Sequence, residues 1–254
     1  MLCGIDLGSR SVKLVLADEA GLQDKHVFET VQFYREYGTR KEAGLVIDFA
    51  ALGFERVEAV VATGYGRNTI QIAGATVIPE LKAHALGAVY QTGLTDFTLL
   101  DLGGQDSKVI KVKKGKMIDF ETNDKCAAST GRYLENMAAV LGIDVAELSR
   151  YEADPVELNA TCAIFGESEL IGRIVEGYST AQLAAGVNYS IVRRIKPMLR
   201  ALVGDTLVFT GGVAQGSGIR KMLERELGVP VVVPAFPQLN GAIGCVCHAQ
   251  EKRR

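Results

Sequence analysis

The sequence predicts an α/β protein built from two duplicated halves. Three observations carry this. An apolar run ending in Asp-x-Gly occurs twice, as Ile5-Asp6-Leu7-Gly8 and Leu100-Asp101-Leu102-Gly103, about 95 positions apart. Each copy leads into a second strand-like run, 11–18 and 106–113, so each half opens on a hairpin offering a carboxylate and a glycine. Strand-like runs then alternate with helical periodicity, and a third glycine turn, Gly211-Gly212, follows another apolar run.

The elements follow in order. Residues 2–8 and 11–18 read as strands around the turn Gly8-Ser9-Arg10, with a third strand over 25–33 and a helix over 40–53. Val57–Thr63 is a short apolar strand closed by Gly64-Tyr65-Gly66, and Pro79 starts a helix through Tyr90. Phe97–Gly104 and 106–113 repeat the opening hairpin. Apolar spacing of three and four predicts helices over 126–142, 144–150, 163–176 and 179–202, the last with Pro197 inside as a candidate kink. Val203–Thr210 is a strand, 214–227 a helix, Val229–Val233 a buried strand and Gly241–Gln250 a closing helix. The first half is expected over 1–92, with 238–254 packing against it, and the second over 93–237. No low-complexity linker divides them, which suits hinge motion between ordered halves.

Composition bounds the function. With 254 residues, 48% of them hydrophobic, the chain can bury a large core. Lys+Arg 28 against Asp+Glu 30 leaves a net charge of −2, so no bulk attraction to nucleic acid or anionic membrane is expected. The basic end Lys252-Arg253-Arg254 reads as a solvated terminus. No apolar run approaches the ~20 residues of a membrane span. The first residues enter a strand without a signal-peptide layout, so a cytoplasmic location is expected. The five cysteines are then thiols or metal ligands rather than a disulfide frame.

A nucleoside triphosphate site needs backbone N–H groups near phosphate oxygens and a hard cation. Gly8-Ser9-Arg10-Ser11 can turn tightly and offer N–H groups and hydroxyls, and Gly103-Gly104-Gln105 does the same in the second half. Asp6 and Asp101 stand where they could hold Mg2+ through water, with Lys13 and Lys108 adding positive charge. Gly211-Gly212-Val213-Ala214-Gln215 lacks large side chains before a helix, which permits close approach of a flat nucleoside. A single Asp-x-Gly is ordinarily only a turn; the repeat and the third glycine turn point to nucleotide. Neither a P-loop nor a Gly-x-Gly-x-x-Gly after the first strand is present.

Two cysteines open small-residue stretches, Cys126-Ala127-Ala128-Ser129 and Cys162-Ala163-Ile164-Phe165-Gly166. Two thiolates are half the ligand set of a four-cysteine iron–sulfur cluster or zinc site. Facing each other across a two-fold axis, two copies would complete one shared centre. The competing reading is a pair of buried structural cysteines.

These segments together resemble the ATPase activators of 2-hydroxyacyl-CoA dehydratases, similar to the BadF/BadG/BcrA/BcrD ATPases, within the acetate and sugar kinase/Hsp70/actin superfamily. The resemblance is carried by Gly4–Ser9, Ala62–Asn68, Asp101–Asp106, Asn123–Ala128, Thr161-Cys162 with Glu167-Ser168-Glu169, Thr210–Ala214 and Asn240–Gly244, nearly the whole length. It implies two ribonuclease-H-like halves with a central ATP cleft. It implies contacts to ATP or ADP from Gly8, Ser9, Arg10, Ser11, Val12 and Lys13, from Gly103, Gly104 and Gln105, and from Gly211, Gly212, Gln215 and Gln238. It implies one [4Fe-4S] cluster held by Cys126 and Cys162 of each subunit of a homodimer. The partners would be a dehydratase or related reductase, and ferredoxin or flavodoxin as electron donor. Gln105 stands where kinases of the superfamily often carry an acid; an amide can orient water but cannot accept its proton, so slow hydrolysis is expected. Asp106 is expected to turn to the opposite face by strand parity. Cys3 reads as a packing residue, Cys245 and Cys247 face different sides of the last helix and are poor ligands for one metal, and His26, His84 and His248 read as surface or packing residues. The alternatives are a small-molecule kinase and a non-redox ATPase of the same superfamily; Glu167 and Glu169 could be misread as a kinase acid but are expected to cap or line the second cysteine helix.

Overall fold

The computed structural model describes residues 1–41, 44–54, 57–64, 70–72, 74–160 and 162–253. Tyr65 and Gly66 of the first expected turn, Arg67 and Asn68, and Thr161 before the second cysteine lie outside these residues. The chain forms two compact units, one of Met1–Thr95, Lys114–Met117 and Gln238–Arg254, the other of Asp96–Lys113 and Ile118–Pro237.

The first unit begins with β1 (Leu2–Leu7), β2 (Ser11–Asp18) and β3 (Gly21–Glu29). Then come α1 (Thr30–Tyr37), β4 (Gly38–Lys41), β5 (Gly44–Ile47), β6 (Ala59–Thr63), β7 (Ile70–Gln71), β8 (Ala75–Val77) and α2 (Glu80–Thr92). The main sheet runs β3-β2-β1-β6-β8, and β4-β5-β7 form a smaller one. β1 is antiparallel to β2 and parallel to β6. All six β1 residues are buried, because the sheet is covered on both faces. Cys3, Ile5 and Leu7 pack with Phe33 and Ile47 on one face. On the other, Leu2 packs against Ala83 and Cys245.

The second unit repeats the plan. It comprises β9 (Phe97–Leu102), β10 (Ser107–Lys113), β11 (Lys116–Asn123), α3 (Gly131–Leu141), α4 (Val145–Leu148), α5 (Ala163–Val175) and α6 (Thr180–Leu202). β12 (Leu207–Thr210), α7 (Ser217–Leu227) and β13 (Val231–Val232) complete it, and α8 (Asn240–Glu251) returns to the first unit. Its sheet order, β11-β10-β9-β12-β13, matches the first position for position, antiparallel at β9–β10 and parallel at β9–β12 and β12–β13. The duplicated α/β halves expected from the Asp-x-Gly repeat are therefore present.

Several expectations need correction. The helix expected over 40–53 is absent, and α1 instead takes up the end of the strand expected over 25–33. Glu29 caps α1 by accepting from Gln32 N at 2.9 Å, and Phe33 is driven into the core among Phe28, Tyr34 and Tyr37. Gly38–Lys41 and Gly44–Ile47 pair as β4–β5, after which Asp48 accepts from the amides of Ala50 and Ala51 and sets a turn. β11 was not expected; seven of its eight residues are exposed, so no alternating pattern marks it. β12 begins at Leu207 rather than Val203, because Thr98 Oγ1 holds Leu202 O and Gly204 N in a bend. The helix expected over 126–142 starts only at Gly131: one 3-10 turn, Ala127–Ser129, precedes it, and Thr130 is extended with φ −132°. Past Pro197, α6 stays helical to Leu202.

Candidate functional site

In the first unit, pairing sets Asp6 opposite Lys13 on β2 and Thr63 on β6. In the second, the same register sets Asp101 opposite Lys108 and Thr210. Both aspartates are buried, at 4% and 2% exposure. Lys13 Nζ lies 3.5 Å from Asp6 Oδ2, and Lys108 Nζ lies 3.9 Å from Asp101 Oδ1. The halves differ in how they satisfy the carboxylate. Thr210 Oγ1 donates to Asp101 Oδ2 at 2.8 Å, whereas Thr63 Oγ1 donates to Ile78 O at 3.0 Å rather than to Asp6. Asp6 Oδ1 is buried and accepts no hydrogen bond among the described residues. A buried carboxylate oxygen without a donor fits a water-clad hard cation.

A glycine follows each threonine in the left-handed region, Gly64 at φ 96° and Gly211 at φ 90°. A Cβ on Gly64 would lie 2.6 Å from Asp6 Oδ1, and one on Gly211 would overlap the Leu102 carbonyl. The backbone thus crosses directly over each Asp-x-Gly end, and only glycine allows it.

The turns are anchored from behind. Thr30 Oγ1 donates to Gly8 O at 2.8 Å, and Arg10 pairs with Glu29 at 3.1 Å. Ser9 is exposed, while Val12 is wholly buried, so only its backbone can reach a ligand. In the second turn, the N-terminal amides of α3 donate back to the glycines, Gly131 N to Gly103 O at 2.9 Å and Arg132 N to Gly104 O at 3.0 Å. Gln105 is exposed. Asp106 does not face away as parity suggested: it precedes β10 and accepts from Lys108 Nζ at 2.7 Å, on the Asp101 side. Gly212 and Gln215 bound a 3-10 turn, and Gln238 lies in another at Pro237–Leu239.

The two cysteines expected to act as ligands both belong to the second unit. Cys126 is exposed and Cys162 half-buried. Asn123 folds around Cys126: its Oδ1 accepts from Cys126 N and its Nδ2 donates to Cys126 O, both at 3.3 Å. Cys162 is the N-cap residue of α5. Only this cysteine stands at an α-helix terminus, since a single 3-10 turn follows Cys126. The residues after Cys162 are apolar and open, Ile164 at 74% and Phe165 at 70% exposure. Among the described residues no group of three or more His, Cys, Asp or Glu side chains is set to hold a metal. An exposed thiol and a half-buried one fit half of a four-thiolate site.

The other three cysteines are packing residues. Cys3 and Cys245 are fully buried, and burial pushes the thiols of Cys3 and Cys247 up to about 12.

The sequence pattern of the BadF/BadG/BcrA/BcrD ATPase family matches residues 3–249. This chain belongs to that family. The (R)-2-hydroxyglutaryl-CoA dehydratase activating ATPase of Acidaminococcus fermentans is 36% identical over 254 residues, 98% of this chain and 96% of that protein. The activator of lactoyl-CoA dehydratase from Anaerotignum propionicum is likewise 36% identical, over 98% of this chain and 96% of its own. The structure of an activator of 2-hydroxyisocaproyl-CoA dehydratase from Clostridium difficile with bound ADPNP superposes with TM-score 0.86 and 32% identity, covering 99% of this chain and 94% of that one. The chain is accordingly an ATPase with the actin/Hsp70/sugar-kinase-like fold. No helix among the described residues is long and apolar enough to cross a membrane.

The sequence names Thr63-Gly64, Thr210-Gly211 and Glu169 without showing their contacts, and it gives no sign of Arg194. Thr63-Gly64 and Thr210-Gly211 are the same device, legible as a Thr-Gly repeat but not paired with Asp6 and Asp101 until the sheet forms. Glu169 is committed to the backbone, accepting from Asn159 N and Ala160 N at 2.8 Å, which removes it as a free acid for a kinase. Arg194 reaches across from α6 to both cysteine segments, and nothing in its local sequence marks it.

Proposed function

We propose that this chain is an ATP-hydrolysing, one-electron activator of a 2-hydroxyacyl-CoA dehydratase or a related reductase. It works as a homodimer in which Cys126 and Cys162 of each copy hold one shared [4Fe-4S] cluster. The observation that carries the reading is the half-site. Two accessible thiols stand beside open apolar residues, with no further ligand group among the described residues to close a metal site. The names of the relatives, activators of acyl-CoA dehydratases, support the partner class.

When bound, the cluster supplies a one-electron carrier whose potential responds to charge and exposure. The chain's own residues do the rest. Cys126 and Cys162 give thiolate ligands, and the first amides of α5 face Cys162 with the positive end of the helix dipole. The N–H groups of the Gly8–Ser11 and Gly103–Gln105 turns bind phosphate, and Asp6 and Asp101 orient the waters of Mg2+. Gln105 positions the attacking water without taking its proton, which makes hydrolysis a slow reset. Gly211, Gly212, Gln215 and Gln238 line the nucleoside side. Ferredoxin or flavodoxin is the reductant, and the protein acts in the cytoplasm.

Iron and sulfide content, measured on protein purified under argon, tests the reading. Wild type should carry four irons per dimer and be brown; Cys126→Ser should lose most of the iron. A colourless, iron-free wild type would end the redox assignment. Gln105→Ala should slow ATP turnover by about two orders of magnitude, the size of a lost positioning contribution; unchanged turnover removes its role.

A further inference from the structure

We infer that Arg194 is the positioning residue that ties the two cysteine segments into one unit and keeps a positive charge behind them. The inference rests on the half-site reading of Cys126 and Cys162. Arg194 is half-buried on α6. Its Nη1 donates to Ala128 O at 2.7 Å and its Nη2 donates to Ala160 O at 2.6 Å. Each carbonyl lies two residues along the chain from a cysteine, one after Cys126 and one before Cys162. A planar fork of fixed spread therefore fixes the separation of the two segments, which a single-point donor cannot do.

The fork itself is held. The guanidinium lies 4.6 Å from the centroid of the Tyr133 ring, and Nη1 also donates to Ser190 Oγ at 3.0 Å. Ser190 Oγ is 3.1 Å from the Tyr133 hydroxyl, and both residues are buried, so ring, hydroxyl and guanidinium constrain one another. Glu169 fastens the Ala160 side separately through the Asn159 and Ala160 amides.

The partners of Arg194 among the described residues are two carbonyls, a hydroxyl and a ring; none is a carboxylate. Its charge is therefore not neutralised locally. A cation behind two thiolates stabilises the more negative, reduced state of whatever metal centre they bind.

Two variants separate the fork from the charge: Arg194→Lys keeps the charge and loses the fork, and Arg194→Gln loses both. The first measurement uses full-length, metal-free protein and needs no cluster. Hydrogen–deuterium exchange should rise at least tenfold in both variants at the amides of 127–131 and 160–165 together, while β12 and α7 keep wild-type protection as the folding control. Acceleration in only one segment, or in neither, overturns the clamp. The second measurement is the midpoint potential of the iron-loaded dimer by dye-mediated titration. Arg194→Gln should shift the reduced-to-oxidised ratio at fixed potential about tenfold towards oxidised, equal to about 59 mV for one electron, and Arg194→Lys should stay near wild type. Equal potentials in wild type and Arg194→Gln overturn the charge role. Wild type that takes up no iron would defeat the half-site reading, while the exchange experiment still decides the clamp. Should Arg194→Gln fail to fold, Arg194→Lys and Tyr133→Phe carry the exchange test, since each loosens the fork without removing the cation.

Discussion

At the scale of single residues, the five cysteines divide by environment rather than by sequence context. Cys3 and Cys247 have thiols raised to about 12 by burial, and burial, with Asp6 second, raises Cys245 well above the usual thiol range. At pH 8 a thiol of pKa about 12 is only about one part in ten thousand thiolate, and the thiolate is the nucleophile. Cys126 and Cys162 are exposed and half-buried respectively. Metal-free native protein should therefore modify fast at these two positions, and the other three should follow only on unfolding. Mass mapping after a short pulse of iodoacetamide at pH 8 reads this directly. Rapid labelling of Cys247, half-buried like Cys162, would contradict the raised pKa of its thiol.

At the scale of elements, much was legible where a pattern repeats and little where packing chooses. β1 with β2 and β9 with β10 were readable because an apolar run, a carboxylate and a glycine recur in order. α1 was not, because its helicity comes from the Glu29 cap and the burial of Phe33 among aromatics brought together by the sheet. β11 was invisible because its side chains stay in water. Arg194 was equally hidden, since a lone arginine on a long helix reads as surface until its two carbonyl partners are known. The α6–α7 contact shows how an element pairing titrates. Lys196 and Tyr189 of α6 both bond Glu226 of α7, and the Lys196 hydrogen bond chiefly holds the Glu226 carboxyl below the usual range. A depressed folded-state pKa means the contribution is fully present above the unfolded value of about 4.3 and is lost as pH falls through the folded value. Glu226→Gln should thus lower the melting temperature at pH 7, and the gap to wild type should shrink as pH falls below the unfolded carboxyl value and through the folded one. A gap that persists at low pH would show that packing, not charge, joins the two helices.

At the scale of the molecule, the proposed half-site raises the question of why one chain would carry half of a metal site. The outer face of α5 supplies a reason in elementary terms. Ile164 and Phe165 stand open beside Cys162, and Ile171, Ile174 and Val175 continue the apolar surface along the helix, the last at 83% exposure. A monomer that leaves such a run in water exposes surface whose burial is worth roughly 25 cal/mol per Å2. A second copy laid over this face by two-fold symmetry would cover its own equivalent residues and bring its own Cys162 to the same place. The ligand set and the hydrophobic face then call for the same event, assembly of two identical chains. Phe165→Asp should separate the two demands, because it spoils the face and leaves all five cysteines. Sedimentation under argon should find this variant monomeric, with iron content well below that of wild type, while nucleotide binding to the monomer persists within a few-fold. A stable Phe165→Asp monomer that still carries four irons would require another source of ligands, and the shared half-site would have to be abandoned.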